Sequence, residues 1–417
     1  MSLRNEGYLW KRNITVRYVI SFLTGWAFIY DLVLVVYFQH FGLTYTQISI
    51  LMAIVAGVTL FAEVPTGAFA DLHGKKTSII LANMLFALGF ILMLISNLYV
   101  VFVLAAVFLG LSFAFSSGAS QAILYDTLKQ LKRQDEYLKV TSRIDSLWMA
   151  TTILTAFLGP YLFAINPTIP LLISVCASGL AAVASMFLHE HITRKISHSN
   201  MREHWTRMLH GFKYVRARSV LKWLVIVDIL GAISLIPFGQ FLSVPYFLDK
   251  GISMQNIAFI ETVATTMQTG LLYAVPFIVD FISRRKAWML SLLGTGILLA
   301  STLLTSSIWI SMLILGLFWG LASLRITLFE TVVTEEANSK NRATIHSIMS
   351  CVSSIIIIIT YPLIGILVDL TSTATGVFTI STIGIIGGLL LTITQPPITK
   401  YRKIKERKTT LQGIDVD

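Results

Sequence analysis

VVYFQHFGLTYTQI at positions 35–48 and VPYFLDKGISMQNI at 244–257 align without a gap, at a constant offset of 209 residues. Tyr37 falls on Tyr246, Phe38 on Phe247, Gly42 on Gly251 and Ile48 on Ile257. The register carries into the next loop. There GAFADLHGKK (67–76) falls on PFIVDFISRR (276–285), with Asp71 on Asp280 and Lys75 on Arg284. Further along the offset shrinks, as shorter loops require: Leu109-Gly110-Leu111 meets Leu315-Gly316-Leu317, and Pro160 meets Pro362. Self-similarity over so long a period means a duplicated chain of two related halves.

Both halves are written in apolar residues. Of 417 residues, 55% are hydrophobic and 13% charged, with a mean hydropathy of +0.76. A soluble domain carries about 25% charged residues, so the solvent this chain suits is a bilayer. A helix needs about 20 mainly apolar residues to cross the hydrocarbon core. Twelve stretches qualify: 14–38, 45–70, 77–96, 98–126, 144–165, 168–188, 220–247, 254–279, 287–306, 308–334, 344–367 and 374–394. The expected fold is an all-α integral membrane protein of twelve transmembrane helices in two parallel six-helix repeats. Residues 1–188 and 220–395 are the two halves, 189–219 a polar linker with a short surface helix around Trp205–Val215, and 396–417 a basic tail. The segment before the first span is polar, and that span is too long for a signal-peptide core, so the span itself is expected to direct insertion.

The charges orient the spans. Thirty of the 32 Lys and Arg residues fall in the N-terminal segment, the tail and the connections after even-numbered spans. The exceptions are Lys250 and Arg325. Cytoplasmic loops collect Lys and Arg, so both termini are expected in the cytoplasm and the protein in the cell membrane. The formal net charge of +11 is then an orientation signal, not a nucleic-acid footprint. Cys176 and Cys351 sit in apolar stretches and suggest neither a disulfide nor a metal site. The eight His residues are scattered and no phosphate-binding loop is present. An enzyme, a metal site and a cofactor are therefore not expected. A transporter-like sensor is a remote alternative.

Between the second and third spans the chain reads Gly67-Ala68-Phe69-Ala70-Asp71-Leu72-His73-Gly74-Lys75-Lys76. This resembles the loop signature of the major facilitator superfamily, Gly-x-Leu-Ala-Asp-Arg-x-Gly-Arg-Lys. Gly67, Ala70, Asp71, Gly74 and Lys76 match; Phe69, Leu72 and Lys75 depart, the last keeping the charge. Glu63-Val64-Pro65-Thr66, the run Ser117-Gly118 through Asp126, and Arg342-Ala343-Thr344 are similar to a bacterial branch of the family. The resemblance implies a monomeric secondary transporter of small molecules working by alternating access. It implies a gate in which Gly67 lets its helix approach a neighbour closely, Asp71 faces a helix N-terminus, Gly74 makes the turn, and Lys75 and Lys76 pair with Asp126. Asp280 and Arg284 would do the same in the second half.

A charge at mid-bilayer costs about 2.5–3.5 kcal/mol on insertion scales, so each one is a functional candidate. Asp31, Glu63 and Asp228 are the candidates for carrying a proton, Asp31 foremost. A carboxylate in a dry cavity takes up and releases protons near neutral pH. The resemblance places the first, fourth, seventh and tenth spans around the substrate cavity. Trp26, Tyr30, Tyr37, Phe115, Gln121, Gln240, Tyr246, Trp319 and Arg325 are candidates to line it. Arg325 suits either an anionic group of the substrate or a carboxylate counter-ion. Gly159-Pro160 resembles part of an exporter motif. The expected function is proton-coupled export of small amphipathic compounds; the alternative is proton-driven uptake of a sugar, peptide or organic acid.

Overall fold

In the computed structural model the chain is described over residues 3–190, 213, 215–282, 284–336 and 339–393. The linker helix expected near Trp205 and the basic tail lie outside the described residues. The helices are α1 (Leu3–Ala27), α2 (Leu34–His40), α3 (Tyr45–His73), α4 (Lys75–Ile95), α5 (Tyr99–Ser116), α6 (Ala119–Gln130), α7 (Tyr137–Ile165) and α8 (Ile169–Met186) in the first half. In the second are α9 (Ser219–Pro237), α10 (Ser243–Asp249), α11 (Met254–Phe281), α12 (Arg284–Ser301), α13 (Ile308–Glu336), α14 (Ser339–Leu370) and α15 (Thr373–Ile393).

Every expected span is helical, and among the described residues ten helical segments are by themselves long and apolar enough to cross a membrane. The remaining two are the first span and α11. The first opens on Lys11, Arg12 and Arg17 and is interrupted at 28–33.

Three spans are broken. In the first, turns replace helix over 28–33 between α1 and α2. In the fourth, Ser117-Gly118 separates α5 from α6, with Gly118 at φ +72°. In the seventh, a π-turn over Phe238–Leu242 separates α9 from α10. The offset of 209 carries 28–33 onto 237–242, so the first and seventh spans break at equivalent positions. A side chain alone does not dictate this, since neither break in these two spans contains a glycine with positive φ. Broken spans are tolerated where neighbouring groups satisfy the freed backbone.

The chain forms two compact units. One comprises Met1–His204, Gln240–Thr262 and Ile357–Thr373; the other comprises Trp205–Gly239, Val263–Ile356 and Ala374–Asp417. In the first unit small residues set helix separations, as membrane packing requires. A Cβ on Gly110 would lie 2.7 Å from Val58 Cβ and 2.8 Å from the Val55 carbonyl oxygen. Among the described residues a Cβ on Gly67 meets nothing within 4 Å. Gly67 is exposed on α3, and the tight contact of that helix falls against Gly110 of α5. In the second unit a core forms around Leu224, Val227, Trp288, Leu292, Leu328 and Val333. There Gly296 meets the backbone of Gly384 and Ile385 at under 3 Å from its would-be Cβ.

Candidate functional site

Asp31 lies inside the break of the first span. Its N–H donates to the Phe28 carbonyl at 3.0 Å, and the Val33 N–H to the Tyr30 carbonyl at 2.9 Å. These short-range bonds turn the chain tightly and present the carboxylate sideways. The residue keeps accessible surface, while its carboxylate lies deep among protein atoms, as its depth in the span leads one to expect. Gln240, the repeat mate of Asp31, lies inside the π-turn of the seventh span and is also exposed.

Two residues support these breaks. Gly159 of α7 accepts the bulge of the first: a Cβ there would lie 2.4 Å from the Ile29 carbonyl oxygen. Tyr361 of α14 supports the second: its hydroxyl donates to Gln240 Oε1 at 2.7 Å. Tyr361 is 1% exposed and within electrostatic range of Asp31. Pro160 and Pro362 are repeat mates, so Gly159 and Tyr361 are too. The duplicated fold thus uses one position twice, once as a gap and once as a hydrogen-bond donor. Sequence reading paired the two prolines but passed over Tyr361; carrying that pairing back by one residue would have found it.

Arg325 and Asp228 meet in the second unit. Arg325 is 5% exposed and its Nε has no hydrogen-bond partner. Asp228, half-buried, lies within electrostatic range of it, with the Ser353 hydroxyl in reach of the carboxylate. Gly231 makes the room: a Cβ there would fall 1.4 Å from Arg325 Nη1. Trp319 is similarly seated over Gly239, whose Cβ would lie 2.3 Å from the indole.

The other candidates scatter. Tyr30 is buried with its ring 4.4 Å from that of Phe90. Tyr37 is buried and donates to the Met93 carbonyl at 2.8 Å. Tyr246 is buried beneath Lys250, whose Nζ stands 5.1 Å from the ring. Trp26 is half-buried against Phe22, Phe115 packs edge-on to Phe69, and Gln121 and Glu63 are exposed.

At the loop after α3, Lys75 Nζ pairs with Asp126. Lys76 makes no such pair among the described residues; it contributes its backbone. The N–H groups of Lys75 and Lys76 donate to Glu190 Oε1 and Oε2 at 2.9 and 2.8 Å. A carboxylate there satisfies free donors and complements the positive end of α4. Gly74 has φ +96°, a conformation that favours glycine, and Asp71 is exposed. The side chains of Asp280 and Arg284 lie outside those described.

The Major Facilitator Superfamily profile matches residues 15–279 and again 242–414. Solved structures share the fold at low identity. The nucleoside transporter NupG aligns over 92% of this chain and 98% of its own, with a TM-score of 0.76 and 13% identity. A POT family transporter in complex with a thioalcohol-conjugated peptide aligns over 93% of this chain and 97% of its own, with a TM-score of 0.72 and 14% identity. No curated protein sequence matches the chain. Two overlapping matches, one to each half of a duplicated chain, span it almost from end to end, and the chain belongs to the Major Facilitator Superfamily.

Proposed function

We propose that this transporter moves small amphipathic molecules out of the cytoplasm in exchange for protons, with Asp31 as the proton carrier. The observation that carries the reading is the pair of repeat-related breaks, with Asp31 in one, Gln240 in the other and Tyr361 bonded to Gln240 beside them. Interrupted membrane helices gather ion and substrate sites because their freed backbone groups and side chains face a cavity. A carboxylate at that place can be neutralised by a proton in one state and ionised in the other. Gln240 holds the equivalent place without a charge, so the coupling is carried by one half. The basic connections are taken as cytoplasmic, residues 189–219 join the halves, and the protein works as a monomer in the cell membrane.

A second reading is uptake. Buried Arg325 with an unpartnered Nε suits an anionic group, and the structural neighbours handle a nucleoside and a peptide-like ligand. Proteoliposomes holding a pH-sensitive dye test both. Lipophilic cations, antibiotics, sugars, peptides and organic acids are added in turn, with imposed pH gradients of either sign. Antiport predicts that an amphipathic compound drives protons the opposite way, and that Asp31→Asn abolishes this flux while leaving the protein folded. Proton and solute moving together would overturn export in favour of uptake. Undiminished flux in Asp31→Asn would remove Asp31 and turn attention to Asp228 and Glu63.

A further inference from the structure

The first half encloses a cavity of about 270 Å³ that neither Asp31 nor Tyr361 lines. Its walls come from α1, α4, α5, α6, α7 and α8, all within residues 17–178. It is therefore a pocket of one six-helix bundle by itself.

Its two ends differ in chemistry. Arg17 and Asp145 stand at one end. Arg17 Nε is buried without a hydrogen-bond partner. Asp145 lies within electrostatic range of Arg17, yet the two do not approach within the 4.0 Å of an ion pair. A buried guanidinium without a contacting anion is costly, and such a group is a fitting receptor for a carboxylate, which it can bind through two parallel hydrogen bonds. The aromatic end begins one helical turn from Asp145, at Trp148, about 4.5 Å further along α7 by residue rise. The Phe28 ring centroid lies 5.7 Å from Trp148, 5.8 Å from Phe86 and 6.3 Å from Phe113.

Between the ends three hydroxyls, those of Ser21, Thr24 and Ser178, are already committed as donors. Ser21 donates to the Ile144 carbonyl at 2.9 Å, Thr24 to the Ser21 carbonyl at 3.1 Å, and Ser178 to the Ser174 carbonyl at 2.6 Å. Their oxygens keep lone pairs free to accept, which suits a ligand that brings hydrogen-bond donors.

We propose that this cavity binds a small zwitterion that carries its carboxylate and ammonium together at one end and an apolar body at the other. The carboxylate lies against Arg17, the ammonium against Asp145, and the ligand closes the gap that separates those two side chains. The apolar body lies among Phe28, Phe86, Phe113 and Trp148. The inference rests on the transporter reading only for making this ligand a transported solute; binding stands or falls by itself.

Isothermal titration of the purified full-length protein tests it, with phenylalanine, leucine and tryptophan as probes. Phenylpropanoate, which lacks the ammonium, and phenethylamine, which lacks the carboxylate, are the comparisons. At least one zwitterion is expected to bind, and its two truncated relatives to bind on the order of tenfold more weakly, the worth of one charge-assisted hydrogen bond. Arg17→Gln and Asp145→Asn are each expected to weaken the zwitterion by a similar factor. Arg133→Gln, at an exposed pair with Glu136, leaves it unchanged. A second measurement is independent of any charge removal. In a chain with Cys176→Ser, a cysteine placed by Ser116→Cys is modified by a thiol reagent, and the zwitterion slows the reaction. Equal binding of either truncated relative overturns the ligand class. Absence of both binding and protection overturns the site. Proton flux in the same preparation reports on the transporter reading separately.

Discussion

At the scale of single residues, two glycines do opposite kinds of work. A Cβ on Gly159 would fall 2.4 Å from a backbone carbonyl, that of Ile29, and a broken backbone segment cannot step aside without moving Asp31. A Cβ on Gly231 would fall on the tip of Arg325, a long side chain that can change rotamer. Gly159→Ala is therefore expected to destabilise the protein by about 1–3 kcal/mol, the usual cost of overpacking, with a lower melting temperature in detergent and lost transport. Gly231→Ala is expected to leave the melting temperature nearly unchanged while impairing transport, because it moves a buried cation away from Asp228. Equal thermal effects in the two variants would refute this contrast. The sequence already marked Gly159-Pro160, but as a fragment of an exporter motif. Its contact with Ile29 joins residues far apart in the chain, and no local pattern reports such a contact.

Among the elements, the most telling contact joins the end of α14 to the start of α3. Asp369 accepts the Tyr45 and Thr46 N–H groups at 2.8 Å each and the Thr46 hydroxyl at 2.6 Å. Thr44 caps the same helix locally, with Gln47 completing the capping box, so Asp369 takes donors that the local cap leaves free. The opposite side of the protein has a counterpart in Glu190 on the first residues of α4. Thr44 and Gln47 were readable as a helix start, since their spacing is local. Asp369 was not, because its partner lies 324 positions away. Replacing a helix cap costs about 1 kcal/mol, and the site is exposed, so the lower part of that range applies. Asp369→Ala should therefore loosen the start of α3 by a few-fold in equilibrium. Ser49, fully buried one turn further on and adjacent to Gly365, gives the readout. As Ser49→Cys it should react faster with a thiol reagent when Asp369 is removed, and an unchanged rate would mean that the cap does not hold the two helices together.

At the scale of the whole molecule, what was legible was what repeats. The duplication, the twelve spans and the lysine asymmetry all follow from patterns summed over many residues, and each survives a local error. The breaks in the first and seventh spans were not legible, since the apolar pattern runs through them without Gly or Pro at the turn in the first. The burial of Tyr30 and Tyr37 was hidden for the same reason: periodicity places an aromatic on a face but does not say what covers that face. Orientation belongs to this scale too, and it rests on the charges. Thirty Lys and Arg residues fall in the segments expected on one side, and Lys250, the exception in a connecting loop, is stacked on Tyr246, where the ring offsets part of the cost of its place. A lone cation held on an aromatic face does not reverse a bias of that size, since orientation follows the summed charge of the short loops. In a chain with Cys176→Ser, a cysteine at the exposed Asp135 of the basic side should therefore resist an impermeant thiol reagent in intact cells and react once the membrane is opened. A cysteine at the exposed Asn97 of the opposite side should react in both conditions. The reverse pattern would invert the protein in the membrane and, with it, the direction in which Asp31 is proposed to carry its proton.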